Sequence, residues 1–591
     1  MDSRLDRRST ALNDQSMIYR GNQFIRQLPL KYLLWSIPLV FLALFYFFPL
    51  GKILQVSFDR GESGLVTPFI EAFRSDSIRG ILWFTFWQAA LSTLLTLAIG
   101  LPGAYLFARY DFRGKTLLQA LTAVPFVMPT VVVAAAFYAL LGPNGWLNLG
   151  LMSIFGLSAA PIQLTNTIYA ILLAHIFYNT TIILRMVGDF WSHLDPRLNQ
   201  AARTLGANRL EAFFKITLPL IGPAITAAAL LVFIFDFTSF GVILILGGPR
   251  FATLEVEIFY QTTSLFNLPL AAVLSLLQLG CTLAMTIIYT RLNSRLTRPL
   301  DLRSRQFTQK KLTTWRSRLF ASMIIILLFC ILIAPLIALA TRSFMRLEPE
   351  RGQRVVESPG FTLDFYRQLS QNPRSSLFYV PPITAIGISL GYAALTVILA
   401  LVIGLPAAWL LARDANSSLS KFFDPVLMLP LGTSAVTLGL GFIVALNRPP
   451  LDLRAAPILI PIAHTLVAFP FVVRSLSPAI RSIQPRVRHA ASLLGASPKD
   501  IIRFIDLPLV GRTLLVAAAF AFTISLGEFG ATALIARPEY PTIPVVIYRF
   551  ISQPGATNYG QALALSTILM VLTAGGLMII ERMRIADVGE F

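Results

Sequence analysis

Two stretches of this chain carry no charge for the length of a membrane crossing. Tyr32 to Gly51 is 20 residues between Lys31 and Lys52, and Leu319 to Thr341 is 23 residues between Arg318 and Arg342. At about 1.5 Å of rise per residue, a helix of roughly 20 apolar residues crosses the hydrocarbon core. Lipid offers no hydrogen bonds, so a crossing segment must satisfy its own backbone, as a helix does. The chain is 55% hydrophobic and 13% charged, against about 25% charged in soluble domains. It is therefore an all-α polytopic membrane protein, which sets aside the soluble enzyme classes.

Twelve spans are expected: 32–57, 81–108, 117–141, 165–190, 217–246 and 268–290, then 319–341, 382–412, 422–446, 456–480, 507–535 and 561–581. The net charge of +20 concentrates in short loops between them. That is the pattern of cytoplasmic loops, so no nucleic-acid partner is expected. The link from Arg291 to Arg318 holds nine basic residues and one acid, Asp301. The loops around Arg109–Lys115, Arg413–Lys421 and Arg481–Arg503 are also basic. Placing these inside puts both termini in the cytoplasm and the mixed-charge loops 58–80 and 342–381 outside. The domain plan is a cytoplasmic tail 1–31, a first half 32–290, a basic cytoplasmic linker 291–318 and a second half 319–591. Six spans per half give both halves one orientation, as parallel repeats.

The repeat is visible in the letters. IGLPGAYLFAR at 99–109 matches IGLPAAWLLAR at 403–413 at eight of eleven positions, at an offset of 304. From Ala174-His175 and Ala463-His464 onward the offset is 289, and it holds for Arg185 and Arg474, Pro196 and Pro485, and Phe240-Gly241 and Phe529-Gly530. One shift followed by constant spacing indicates duplication and fusion.

A polar phrase also recurs. QAARTLGANRLEAFFKITLP occupies 200–219 and HAASLLGASPKDIIRFIDLP occupies 489–508. In each, a proline (Pro196, Pro485) suits a helix's first turn, and Gly206 or Gly495 stops that helix. Asn208 with Glu211, and Ser497 with Asp500, have the spacing of a capping box that starts a second helix. Leu218-Pro219 and Leu507-Pro508 then open the next span. The phrase reads as a helix–glycine–helix elbow, with Ala201-Ala202 and Ala490-Ala491 allowing close packing.

This spacing resembles the EAA loop of ABC-importer permeases: Glu-Ala-Ala, three residues, Gly, nine residues, Ile-x-Leu-Pro. Gln200, Ala201, Ala202, Gly206, Ile216, Leu218 and Pro219 fit it, as do His489, Ala490, Ala491, Gly495, Ile505, Leu507 and Pro508. The leading Glu is replaced by Gln200 and His489, which weakens any specific salt bridge but leaves the elbow. The resemblance implies that the elbows dock in grooves of two ATP-binding cassette ATPase subunits, and that an extracytoplasmic binding protein delivers the cargo. It implies a permease in the cell (inner) membrane that is not itself an enzyme, with ATP and Mg bound in the partner. Two six-span halves in one chain, with SLGEFGATALIARPEYPTIPVVIYRFIS at 525–552, resemble ferric-iron and thiamine permeases. Ferric iron is the expected cargo and thiamine the alternative. A gradient-driven secondary transporter is the rival of another class.

Other candidates carry less. Arg113-Gly114-Lys115-Thr116 ends like a phosphate-binding loop, but Arg109 stands where the first glycine belongs. Cys281 and Cys330 sit in apolar runs and suggest neither a disulfide nor a metal site. His175 and His464 lie singly in equivalent spans and are expected to bond neighbouring helices rather than ligate a metal. Arg185 and Arg474 suit a structural or gating role, with Asp189 in reach of Arg185. Asp236 and Glu528 lie within spans at non-equivalent positions, where Asp236 aligns with Ser525 and Glu528 with Ser239. Carboxyls at such depth usually face a cavity, so both are candidates to line the translocation path, the alternative being a capped acid or one at the lipid interface.

Overall fold

The computed structural model describes residues 34–58, 67–296, 309–347, 360–371, 380–413, 417–447, 449 and 452–585. The expected tail 1–31 and the middle of the linker lie outside the described residues.

Among the described residues, 11 helices are long and apolar enough to span a membrane, or up to 12 if a bent pair counts as one span. The first half contributes α1 (Leu34–Phe58), α2 (Asp76–Arg109), the short α3 (Lys115–Val127), α4 (Thr130–Phe155) and α5 (Ile168–Ser192). The elbow helix α6 (Arg197–Thr204) leads to α7 (Arg209–Phe237), followed by α8 (Gly241–Leu246), α9 (Leu254–Thr263) and α10 (Leu268–Leu292). The second half repeats the order with α11 (Trp315–Arg342), α12 (Thr384–Arg413), the pair α13 (Ser418–Gly432) and α14 (Ala435–Ala445), and α15 (Leu459–Ser482). Its elbow helix is α16 (Pro485–Leu493), followed by α17 (Lys499–Gly527), α18 (Gly530–Ile535), α19 (Ile543–Ile551) and α20 (Ala556–Ile580).

The structure corrects four of the expected spans. The span 117–141 breaks at Met128, whose ψ of 136° is the extended geometry imposed by the following Pro129. The span 422–446 bends by 95° between α13 and α14, where the Ser434 side chain caps the N–H groups of Val436 and Thr437. The spans 217–246 and 507–535 each end early, and α8 or α18 starts afresh at the Phe-Gly pair. The helices α9 and α19 fall in segments expected to be loops.

The repeated IGLP phrase has a packing reason. A Cβ on Gly100 would stand 2.7 Å from the Ile183 side chain, and one on Gly404 2.8 Å from that of Val472. Glycine therefore lets α2 press against α5, and α12 against α15, by the same contact in each half. Small residues at helix crossings are the usual means of close packing where lipid supplies no hydrophobic drive.

The halves exchange their first helices. On α1, Trp35, Leu42 and Tyr46 are buried in a core otherwise built from the second half. The Tyr46 hydroxyl bonds that of Thr433 at 2.6 Å, and the Trp35 and Phe423 rings lie 4.9 Å apart. Reciprocally, Leu328, Leu332 and Leu339 of α11 share a core with Val131–Phe137 of α4. A two-residue parallel ladder, Tyr110-Asp111 with Lys310-Lys311, ties the linker's end to the foot of α2.

Candidate functional site: two elbows and the cavity between the halves

The two elbows are built alike to the level of single hydrogen bonds. Gly206 and Gly495 have φ of +94° and +87°, left-handed values that favour glycine. Behind them the N–H of Ala207 reaches the carbonyl of Ala202 (3.1 Å), and that of Ala496 reaches Ala491 (3.0 Å). These are the closing bonds of a glycine-terminated helix. Asn208 and Glu211 form a full capping box. Ser497 and Asp500 do the same, at 3.3 Å for the Asp500 N–H to the serine hydroxyl and 3.1 Å for the return bond. Each second helix then takes one π-helical turn, Phe213–Thr217 and Ile502–Asp506, just before its Leu-Pro. Proline removes a donor from the ladder, and the wider turn accommodates that loss at the same place twice.

The motif residues share one pattern of exposure. Gln200 and His489, Ala201 and Ala490, and Gly206 and Gly495 are exposed; Ala202 and Ala491, and Ile216 and Ile505, are half-buried. Pro219, Leu507 and Pro508 are exposed and Leu218 is half-buried. Leu205 is 88% exposed and its counterpart Leu494 89%. One leucine thus stands far into solvent at the crown of each elbow, at equivalent positions of the repeat.

The clamps beneath the elbows differ. In the first, Asn199 donates to the Thr217 hydroxyl at 2.7 Å. In the second, the equivalent residues are Arg488 and Asp506, joined at 2.6 Å, with Arg413 3.7 Å from Asp506 and stacked over Trp409 at 4.3 Å. One half thus uses a neutral bond where the other uses a charge-assisted one.

Deeper in each half a histidine gathers polar groups from neighbouring helices. His175 bonds Ser92 (3.1 Å) and Ser239 (2.9 Å), and its Nδ1 lies 3.5 Å from Asp236. The Asn179 amide donates to that carboxyl at 2.6 Å. His464 bonds Ser525 and Thr532, each at 2.8 Å, and its Nε2 lies 3.2 Å from Glu528. Glu528 also accepts from the N–H of Ala531 (2.8 Å) and the hydroxyl of Thr532 (2.5 Å). The two acids occupy swapped registers yet meet the same ring: position 236/525 faces Nδ1 and position 239/528 faces Nε2. Both acids are buried.

Between the halves lies a cavity of about 410 Å³, towards the elbow end. The first half lines it with Phe126, Thr181, Arg185 and Met186, the second with Arg512 and Phe520 among others. Asp236 and Glu528 are not among its lining residues. Arg185 faces this space, whereas its repeat partner Arg474 lies 3.7 Å from Asp424. Beyond the far ends of α7 and α17, the equivalent Phe240 and Phe529 stack on one another, 5.5 Å apart and inclined by 25°. Because the two residues are equivalent, the pseudo-twofold axis passes between these rings.

Two features escaped the sequence reading. Glu255 of α9 is buried and accepts from Gln278 of its own half and Ser434 of the other. It lies between the expected spans 217–246 and 268–290, where hydropathy predicts a loop. Arg512 lies six residues into an expected span, and an arginine within an apolar run is itself the signal, since ionisable residues in spans are rare.

The model for the family described as binding-protein-dependent transport system inner membrane component matches residues 100–298 and 400–582. The chain is 30% identical over 547 residues to the thiamine transport system permease protein ThiP of Brucella abortus, covering 90% of this chain and 92% of that one. Against ThiP of Escherichia coli the identity is 27% over 495 residues, covering 81% and 85%. A probable ABC transporter permease of Sinorhizobium fredii is 25% identical over 561 residues, covering 92% and 95%. The paired elbows, the cavity between the halves and these matches lead to one statement: the chain belongs to the binding-protein-dependent inner-membrane transport family, as a multi-pass ABC-importer permease with both halves fused in one polypeptide.

Proposed function

We propose that the chain forms the translocation path of an ATP-driven importer for thiamine or a close analogue. The observation that carries this is likeness to named thiamine permeases along nine-tenths of the chain. It moves the cargo from ferric iron, the first expectation, to the alternative. An extracytoplasmic binding protein delivers the cargo to the Phe240–Phe529 side. Two ATPase subunits, which hold the ATP and Mg, each grip one elbow through Leu205 or Leu494 and the alanine pairs. The elbows and both termini face the cytoplasm. ATP acts only if the elbows bind the closed and open ATPase with different affinity.

The test is uptake of labelled thiamine by cells lacking other thiamine uptake and synthesis and expressing the chain with its native partners. Accumulation that is lost in Gly206→Pro and Gly495→Pro, with membrane insertion unchanged, supports the reading. Uptake that persists after the ATPase is deleted would instead mark a gradient-driven transporter.

A further inference from the structure

We propose that a row of four aromatic rings across the pseudo-twofold axis is the gate of the path at its end away from the elbows, and that it selects a flat aromatic cation by taking it between two of the rings. The proposal rests on the permease reading and sharpens the cargo reading to a class: an aromatic ring that carries a positive charge, as the thiazolium of thiamine does. The row runs Phe259–Phe240–Phe529–Tyr548. Its ring centroids are 5.3, 5.5 and 5.4 Å apart, and successive rings are inclined by 57°, 25° and 57°. Phe259 and Tyr548 stand at the same repeat offset as Phe240 and Phe529. The row is therefore symmetric about the axis, with its central stack on it. Phe259, Phe240 and Phe529 are buried, so the row is closed in this structure.

Two further observations give the row this role. The first is its link to the elbows. One helix, α7, runs from Arg209 to Phe237, and its counterpart α17 from Lys499 to Gly527. Each starts at an elbow and ends within three residues of its central ring, so a displacement of either elbow is carried along one helix to one face of the stack. The second is a set of carboxyls. Asp236 lies four residues before Phe240, Glu255 four before Phe259 and Glu528 immediately before Phe529, and all three are buried. Glu255 accepts from neutral donors, Gln278 and Ser434, while the basic groups beside Asp236 and Glu528 are His175 and His464. Ionisable groups within spans mark substrate and ion pathways, and an aromatic face attracts a cation more strongly where water is excluded. When Phe240 and Phe529 part, an aromatic cation replaces the lost ring contact with a ring–cation contact on each side. A neutral ring of the same shape gains less, and an inorganic cation has no face to stack.

The test uses the full chain with its native ATPase and binding protein in proteoliposomes, and two cargoes of matched shape: thiamine and its neutral thiophene isostere, 3-deazathiamine. At saturating cargo the unaltered complex should import thiamine faster by roughly tenfold or more. Phe240→Leu with Phe529→Leu keeps an apolar seal without aromatic faces and should erase that preference through loss of thiamine import. Phe240→Tyr with Phe529→Tyr should keep it, and Phe84→Leu, at a ring pair outside the row, should leave it unchanged. The binding protein is common to every variant, so a change of ratio belongs to the chain. Monodisperse elution of each variant with the ATPase bound separates lost selection from lost folding. A preference that survives in the double leucine variant overturns the proposal, as does an equal fall in both rates or a tyrosine variant that behaves like the leucine one. A second readout needs no import: in the Phe529→Trp complex held with ATP and vanadate, 1-benzyl-3-carbamoylpyridinium should stack on the new indole and give a charge-transfer absorbance that the unaltered complex lacks. If no thiamine enters while this band appears, the cargo reading falls and the gate stands. If thiamine enters with no ring-dependent preference and no band, the gate falls and the cargo reading stands. If neither import nor band is seen, both fall.

Discussion

Each buried histidine works as a hub that needs one carboxyl and two hydroxyls, and the two halves supply the carboxyl from opposite sides of the ring. Asp236→Ala would leave the Asn179 amide without its acceptor and remove the carboxyl beside the His175 Nδ1, at a cost of about 1–3 kcal/mol. Thermal unfolding of His175→Ala, Asp236→Ala and the double variant should give a coupling of roughly 0.5–3 kcal/mol; additive losses would mean that the ring and the acid act separately. The swapped register makes a sharper prediction. Asp236→Ser combined with Ser239→Glu rewrites the first hub in the second one's pattern, and should unfold at a higher temperature than Asp236→Ser alone. The sequence showed that the acids do not align, and it suggested two path-lining groups. Positions 236 and 239 flank the end of one helix, and only the fold brings a histidine between them.

At the scale of elements, the elbows were the most legible part of the chain. Capping residues, a stop glycine and a Leu-Pro are local signals, and each acts within a turn of its own position. The clamps beneath were not legible, because Asn199 and Thr217, or Arg488 and Asp506, lie 18 residues apart. The unequal clamps should respond unequally. Asp506→Ala strands the largely buried Arg488 and should cost about 3–5 kcal/mol, whereas Thr217→Val removes a neutral bond worth about 1 kcal/mol. Thermal unfolding of the two variants checks the order; a larger loss at Thr217 would show that the ionic clamp adds little. The broken spans were missed for another reason. Apolar periodicity runs on through Met128 and Phe240, and hydropathy does not register a change of backbone direction.

For the whole molecule, duplication, helix count and family were readable because they rest on spacing over hundreds of residues. The exchange of first helices was not, since a lipid-facing and a half-packed helix have similar composition. It carries its own prediction. Fragments 1–296 and 309–591, co-expressed with a tag on one, should purify together and unfold as one. Fragment 1–296 alone should be degraded, because Trp35, Leu42 and Tyr46 would lack the core that buries them. Recovery of a stable, monodisperse first fragment would show that the exchange adds little. The same exchange sets an order of events during synthesis. Tyr46 and Thr433 are separated by 387 residues, so at about 5–20 residues per second the first helix waits in the bilayer for roughly 20–80 s before its partner is made. Over that interval it has only lipid and its own half for company, and helices made hundreds of residues later are the ones that fix where the first one belongs.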